Sequence, residues 1–112
     1  DPDAVFFPER LRTILPAGTG PTFLVNCNRF YPAMYGSLEV YSREAIQAYT
    51  AGKDTCRIVL TWTGWGEDCF MLRCMKQLDV NYTERFGMVS DFTGLCMKAP
   101  AEQCADDNNV VF

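Results

Sequence analysis

Apolar positions along this 112-residue chain come in short runs, several of them alternating with polar residues at every second position, the period of a strand with one buried face. The first 21 residues break any such period with Pro2, Pro8, Pro16, Pro21, Gly18 and Gly20. They are expected to run extended over the surface, pinned by Phe6, Phe7, Leu11, Ile14 and Leu15. Residues 22–27, Thr-Phe-Leu-Val-Asn-Cys, are rich in strand formers and lie between Pro21 and the polar Asn28-Arg29, so they predict a first strand. A turn near Tyr31-Pro32 and Gly36 leads to a second, Leu38-Glu39-Val40-Tyr41.

The pattern then changes to that of a helix over residues 43–51. Ser42 suits the N-cap, Glu44 sits in the first turn where the helix dipole favours an acid, and Gly52 stands where a left-handed C-cap is wanted. Ala45, Ile46 and Tyr49 share its apolar face. Residues 56–63 give the clearest strand pattern, with Ile58, Leu60 and Trp62 on one side and Arg57, Thr61 and Thr63 on the other. Gly64 and Gly66 place Trp65 in a turn. Phe70, Leu72 and Cys74 then alternate with Met71, Arg73 and Met75, the returning strand of a hairpin. A helix capped by Asp68 competes with that strand, because Met, Leu, Arg, Lys and Gln are good helix formers. Residues 80–82 and 85–92 predict one or two further strands, with Phe86, Met88 and Phe92 on a common face ended by Gly94, and the acidic stretch 105–112 reads as a mobile tail beyond Cys104.

Together these elements predict an α+β domain, a largely antiparallel sheet of four to six strands packed on one helix near 43–51, with a small all-β barrel as the alternative. No repeat or linker divides the chain, so 1–112 is expected to form a single domain.

Cysteine content adds a covalent framework. Cys27, Cys56, Cys69, Cys74, Cys96 and Cys104 are an even number in a short chain, the arithmetic of three disulfides in an oxidising compartment. Their spacing leaves all fifteen pairings open, a local Cys96–Cys104 bridge being the simplest to picture. Zinc would want closer knuckles or histidine ligands, and the chain has no histidine. The opening Asp1-Pro2-Asp3 fits a chain whose leader has been removed, and no stretch is apolar for the length of a membrane span, so a secreted, extracellular protein without membrane insertion is expected. Asn81-Tyr82-Thr83 is an N-glycosylation sequon and points weakly the same way.

Net charge is −4, and the ten Lys and Arg residues form no basic run, which argues against nucleic-acid binding by phosphate neutralisation. Absence of histidine removes the usual general base near neutral pH, and with it Ser-His-Asp and Cys-His catalysis. A carboxylate pair such as Glu67 and Asp68 could serve a small glycan hydrolase, but neighbours on a strand face opposite ways, so they read as solvated turn acids. Asp106, Asp107, Asn108 and Asn109 lack the alternating pattern of a calcium loop. Neither metal nor cofactor is expected.

What remains is binding. Trp65, uncrowded between two glycines at a hairpin tip, is the foremost candidate for a contact with a partner, with Trp62 three residues before it on the core side. Tyr31, Met34 and Tyr35 form a second aromatic and methionine group with the adaptable character of binding surfaces. The functional expectation is a secreted cysteine-rich protein of effector, toxin or inhibitor type that engages an extracellular protein or glycan. A carrier of a small apolar ligand is the alternative.

Overall fold

Backbone order is α1 (Pro8–Ile14), β1 (Thr22–Val25), α2 (Arg43–Val59), α3 (Glu67–Gln77) and β2 (Asn81–Glu84) in the computed structural model, which describes residues 5–15, 17–18, 20–28, 33–90, 96 and 109–111. β1 and β2 pair in parallel, with Thr22 opposite Asn81 and Val25 opposite Glu84, and the connection between them carries both long helices. Among the described residues this two-stranded sheet replaces the expected antiparallel sheet of four to six strands, and no barrel closes. The molecule is a small α+β domain in which helices supply most of the regular structure.

Five local corrections account for the difference. Residues 8–14 coil into α1 instead of running extended: Pro8 at its start is placed where the missing N–H costs nothing, and Glu9 and Arg12 pair one turn apart. The helix expected to stop at Gly52 continues to Val59, so Cys56 and Arg57 lie on its last turns and not on a strand. Ile58, which the strand reading turned toward the core, is 83% exposed. The hairpin's return is α3, begun by Gly66 with Glu67 and Asp68 in its first turn, as the competing helix expectation allowed. Leu38 to Tyr41 runs beside β1 without forming a full strand. It contributes the Leu24 N–H to Val40 O bond of 3.0 Å and one antiparallel bridge, Phe23 to Tyr41. Residues 85–90 hold a turn and a single bridge of Val89 to Val111, leaving Phe86 exposed and Met88 buried; Phe92 lies outside the described residues.

Ser42 is the N-cap that the sequence predicts, and it does more than cap. Its hydroxyl accepts from Ala45 N–H at 3.1 Å and from Thr22 N–H at 3.0 Å, and donates to Gly20 O at 3.1 Å, so one side chain joins the start of α2 to the start of β1. The inward face of α2 is Ala45, Ala48, Tyr49 and Cys56, at helical spacing; Ile46, expected on that face, is exposed.

β1 is buried on both sides. Phe23 and Val25 face a cluster with Met34, Ala45, Leu72, Met75 and Val80, which the two long helices cover. Leu24 faces a second cluster with Met88, Val89, Val110 and Val111, onto which Leu11 and Ile14 of α1 pack. Of the segment expected as an acidic tail, Asn109 to Val111 are thus core residues. They are stitched in by Phe7 N–H to Val110 O, Val110 N–H to Met88 O and Ser90 N–H to Val111 O, at 2.7 to 2.9 Å.

Two disulfides are formed among the described residues, Cys27–Cys96 and Cys56–Cys74. The first excludes the local Cys96–Cys104 bridge. Cys69 on α3 is half-buried and carries no disulfide, and Cys104 lies outside the described residues.

Candidate functional site

α2 and α3 are joined by residues 60–66, and the Cys56–Cys74 bridge crosses between the two helices, so the loop is closed into a covalent ring. The loop holds both tryptophans. Leu60 ends α2 in extended backbone with its N–H still bonded to Cys56 O, and Trp65 N–H returns to Trp62 O at 3.0 Å. That turn runs through Gly64 at a φ of +83°, where a side chain would be strained. Glycine here is needed for the turn itself.

With that backbone, Trp62 and Trp65 line one cleft of about 300 Å³ together with Arg57, Gly66, Glu67 and Phe70. Trp62 donates its indole N–H to Arg57 O at 3.3 Å and stands edge-on to Phe70, the ring centroids 6.4 Å apart and the planes at 75°. Both indoles remain open to solvent, Trp62 at 46% and Trp65 at 39%. The division expected from a hairpin, Trp62 inside and Trp65 displayed, is replaced by two rings sharing one surface.

Behind this cleft lies an acidic corner. Asp68 accepts from Gly36 N–H at 3.2 Å and from Cys69 N–H at 2.6 Å, and a Cβ on Gly36 would stand 3.3 Å from Glu67 Oε1. Glu39 accepts from the Tyr41 hydroxyl at 2.5 Å through one carboxylate oxygen, while its other oxygen is buried without a partner. Burial first, and then the charges of Glu67 and Asp68, push the Glu39 carboxyl above the ordinary carboxylate range, against the lowering effect of the Tyr41 bond. Burial and the Glu39 carboxylate raise the Tyr41 phenol in turn. Glu67 and Asp68 therefore sit on the first turn of a helix and not on a strand, Asp68 with both oxygens engaged.

The other residues singled out in the sequence are dispersed. Met34 is buried in the helix-covered core, its sulfur 3.3 Å from the Tyr41 hydroxyl. Tyr35 packs against the second core, and its backbone is held on both sides by the fully buried Asn26 amide, which accepts from Tyr35 N–H at 2.7 Å and donates to Tyr35 O and Leu38 O. Tyr31 lies outside the described residues. Asn81 of the sequon is exposed at the start of β2. Arg57 and Phe70, which complete the tryptophan cleft, had no signal while their segments read as strands. On helices, the i, i+3 spacing of Glu67 and Phe70 puts both on the side that meets the loop.

A second cavity of about 230 Å³ lies between Leu15 and Gly18, β1 and residues 40–42, with Thr22, Phe23, Val40 and Tyr41 also lining it. Among the described residues no helix is long and apolar enough to cross a membrane. Comparison of the chain with protein-family models, with curated proteins and with solved structures finds no match.

Proposed function

We propose that this chain is an extracellular binding protein of effector, toxin or inhibitor type, which engages a protein or glycan of a host or rival through the Trp62–Trp65 cleft, without a catalytic step. The observation that carries this reading is the pair of half-exposed indoles on a loop whose two ends are fixed by helices and a disulfide. Large aromatics in a preformed site lose little conformational freedom on binding, which is why tryptophan so often anchors interfaces. Disulfide bonds fit an oxidising compartment, and hence a location outside the cytosol.

Partners captured from host fluids on the immobilised chain, then titrated by calorimetry, test this. Trp65→Ala is expected to weaken a genuine interaction by about 2 kcal/mol, roughly thirtyfold, while circular dichroism stays unchanged. Wild-type affinity of the variant for every captured partner would remove the cleft from consideration. The carrier alternative draws on the second cavity, which is smaller than the roughly 300–1,000 Å³ usual for ligand sites.

A further inference from the structure

We infer that the cleft takes a protein partner and not a glycan, and that it receives one large apolar side chain lying beside a carboxylate of an acidic peptide segment. This rests on the cleft being the binding surface and adds the chemistry of its occupant.

Shape is the first argument. Trp62 and Phe70 meet at 75°, which makes a concave corner and not the flat platform on which a sugar ring stacks. Polar groups are the second. A sugar presents hydroxyls around its whole rim, and each one desolvated without a partner costs free energy. Of the polar groups at the cleft, the Trp62 indole N–H is already bonded to Arg57 O, which leaves the Trp65 indole N–H, the Arg57 guanidinium and the Glu67 carboxylate, too few donors and acceptors for the whole rim of a sugar. What faces the occupant is mostly ring and methylene surface.

Charge is the third. Arg57 is the cation of the cleft, and among the described residues its guanidinium has neither an ion pair nor a hydrogen bond; Glu67, the acid lining the same cleft, forms no ion pair with it. A guanidinium in a cleft lined by aromatic rings offers a carboxylate two parallel N–H donors that match its two oxygens. A lysine in the same place on the partner would repel the guanidinium, and an uncharged amide would offer it one acceptor oxygen without the charge.

The probes are capped pentapeptides, acetyl-Gly-Gly-Leu-Asp-Gly-amide and its counterparts with Asn or Lys in place of Asp, together with chitohexaose. The signals are the indole N–H resonances of Trp62 and Trp65 and their fluorescence. The Asp peptide is expected to shift both indoles with a millimolar dissociation constant, the Asn peptide about tenfold more weakly and the Lys peptide more weakly still. Arg57→Gln, a change on an exposed helical turn, is expected to abolish the preference for Asp over Asn and leave the Asn peptide unaffected. Trp65→Ala is expected to lose all three peptides. Equal binding of the Asp and Lys peptides, or an unchanged preference in Arg57→Gln, overturns the acidic partner while leaving the cleft as a binding surface. Shifts from chitohexaose alone overturn the protein partner and leave the cleft. If no probe moves either indole at roughly 10 mM, above the range in which one side-chain anchor binds, the inference and the cleft fall together.

Discussion

Gly52 shows how one atom's absence can carry a packing role. It lies inside α2, where glycine ordinarily costs about 1 kcal/mol against alanine. A Cβ at this position would stand 2.2 Å from one methyl of Leu78 and 2.9 Å from the other, so the whole isobutyl group would have to move. Overpacking of this kind costs about 1–3 kcal/mol. Gly52→Ala is therefore expected to lower stability by about 1 kcal/mol in urea unfolding, and to become stabilising in a Leu78→Ala background where the clash is gone. Read in the sequence, the same glycine looks like the end of a helix; the partner that explains it is 26 positions further along the chain. Glu39 offers a second residue-scale test. Its folded carboxyl titrates above the unfolded value, so the folded state keeps a proton that the unfolded chain has lost, and stability falls as pH rises through that interval. Glu39→Gln is expected to be the more stable form at pH 7, by under about 1 kcal/mol since water screens the half-buried group. The gap should close below about pH 4, where the unfolded glutamate is protonated as well. Urea midpoints at the two pH values check both the sign and the closing.

Among the elements, α3 has the most informative boundary. Its C-terminus closes with Asp79 N–H to Lys76 O and Val80 N–H to Met75 O, the paired bonds of a Schellman motif, with Asp79 in the left-handed region at φ +57°. Glycine takes that conformation without the Cβ penalty, so Asp79→Gly is expected to raise the melting temperature by about 2–5 °C, for a gain of about 0.5–1 kcal/mol. Calorimetric melting measures it. The helices were also where sequence pattern and structure parted. Ser42 could be read as a cap because capping is local, and β1 because strand formers fill it between clear breakers. The alternation of Ile58, Leu60 and Trp62 was equally plain, yet local strand preference spans only about 1 kcal/mol and yields to packing. Here the Cys56–Cys74 bridge and the buried Leu72 and Met75 hold two helices side by side. The tryptophan turn survived this reversal because Gly64 and Gly66 demand a turn whether strands or helices flank it. Arg57 and Phe70 did not, since their place in the cleft depends on the helical period.

At the scale of the whole molecule, the covalent links tie distant parts of the chain, which is why spacing could not reveal the pairing. Cys56 and Cys74 are 18 residues apart, Cys27 and Cys96 are 69 apart. Loop-closure entropy assigns about 3 kcal/mol to the first and about 4 kcal/mol to the second. Replacing each pair by alanine should reproduce that order in urea midpoints, and an inverted order would mean that strain or residual unfolded structure outweighs loop length. The second core has a comparable reach. Arg10 of α1 donates to Asn109 O, 99 residues away, and Leu11 and Ile14 rest on the cluster that Val110 and Val111 complete.

That reach sets a timetable for synthesis. As a ribosome extends the chain at roughly 5–20 residues per second, α1 emerges some 5–20 s before the segment that seats it. During that wait Phe6, Phe7, Leu11 and Ile14 are an unsheltered apolar stretch on a nascent chain, a natural foothold for a chaperone and the part of the molecule most exposed to premature association.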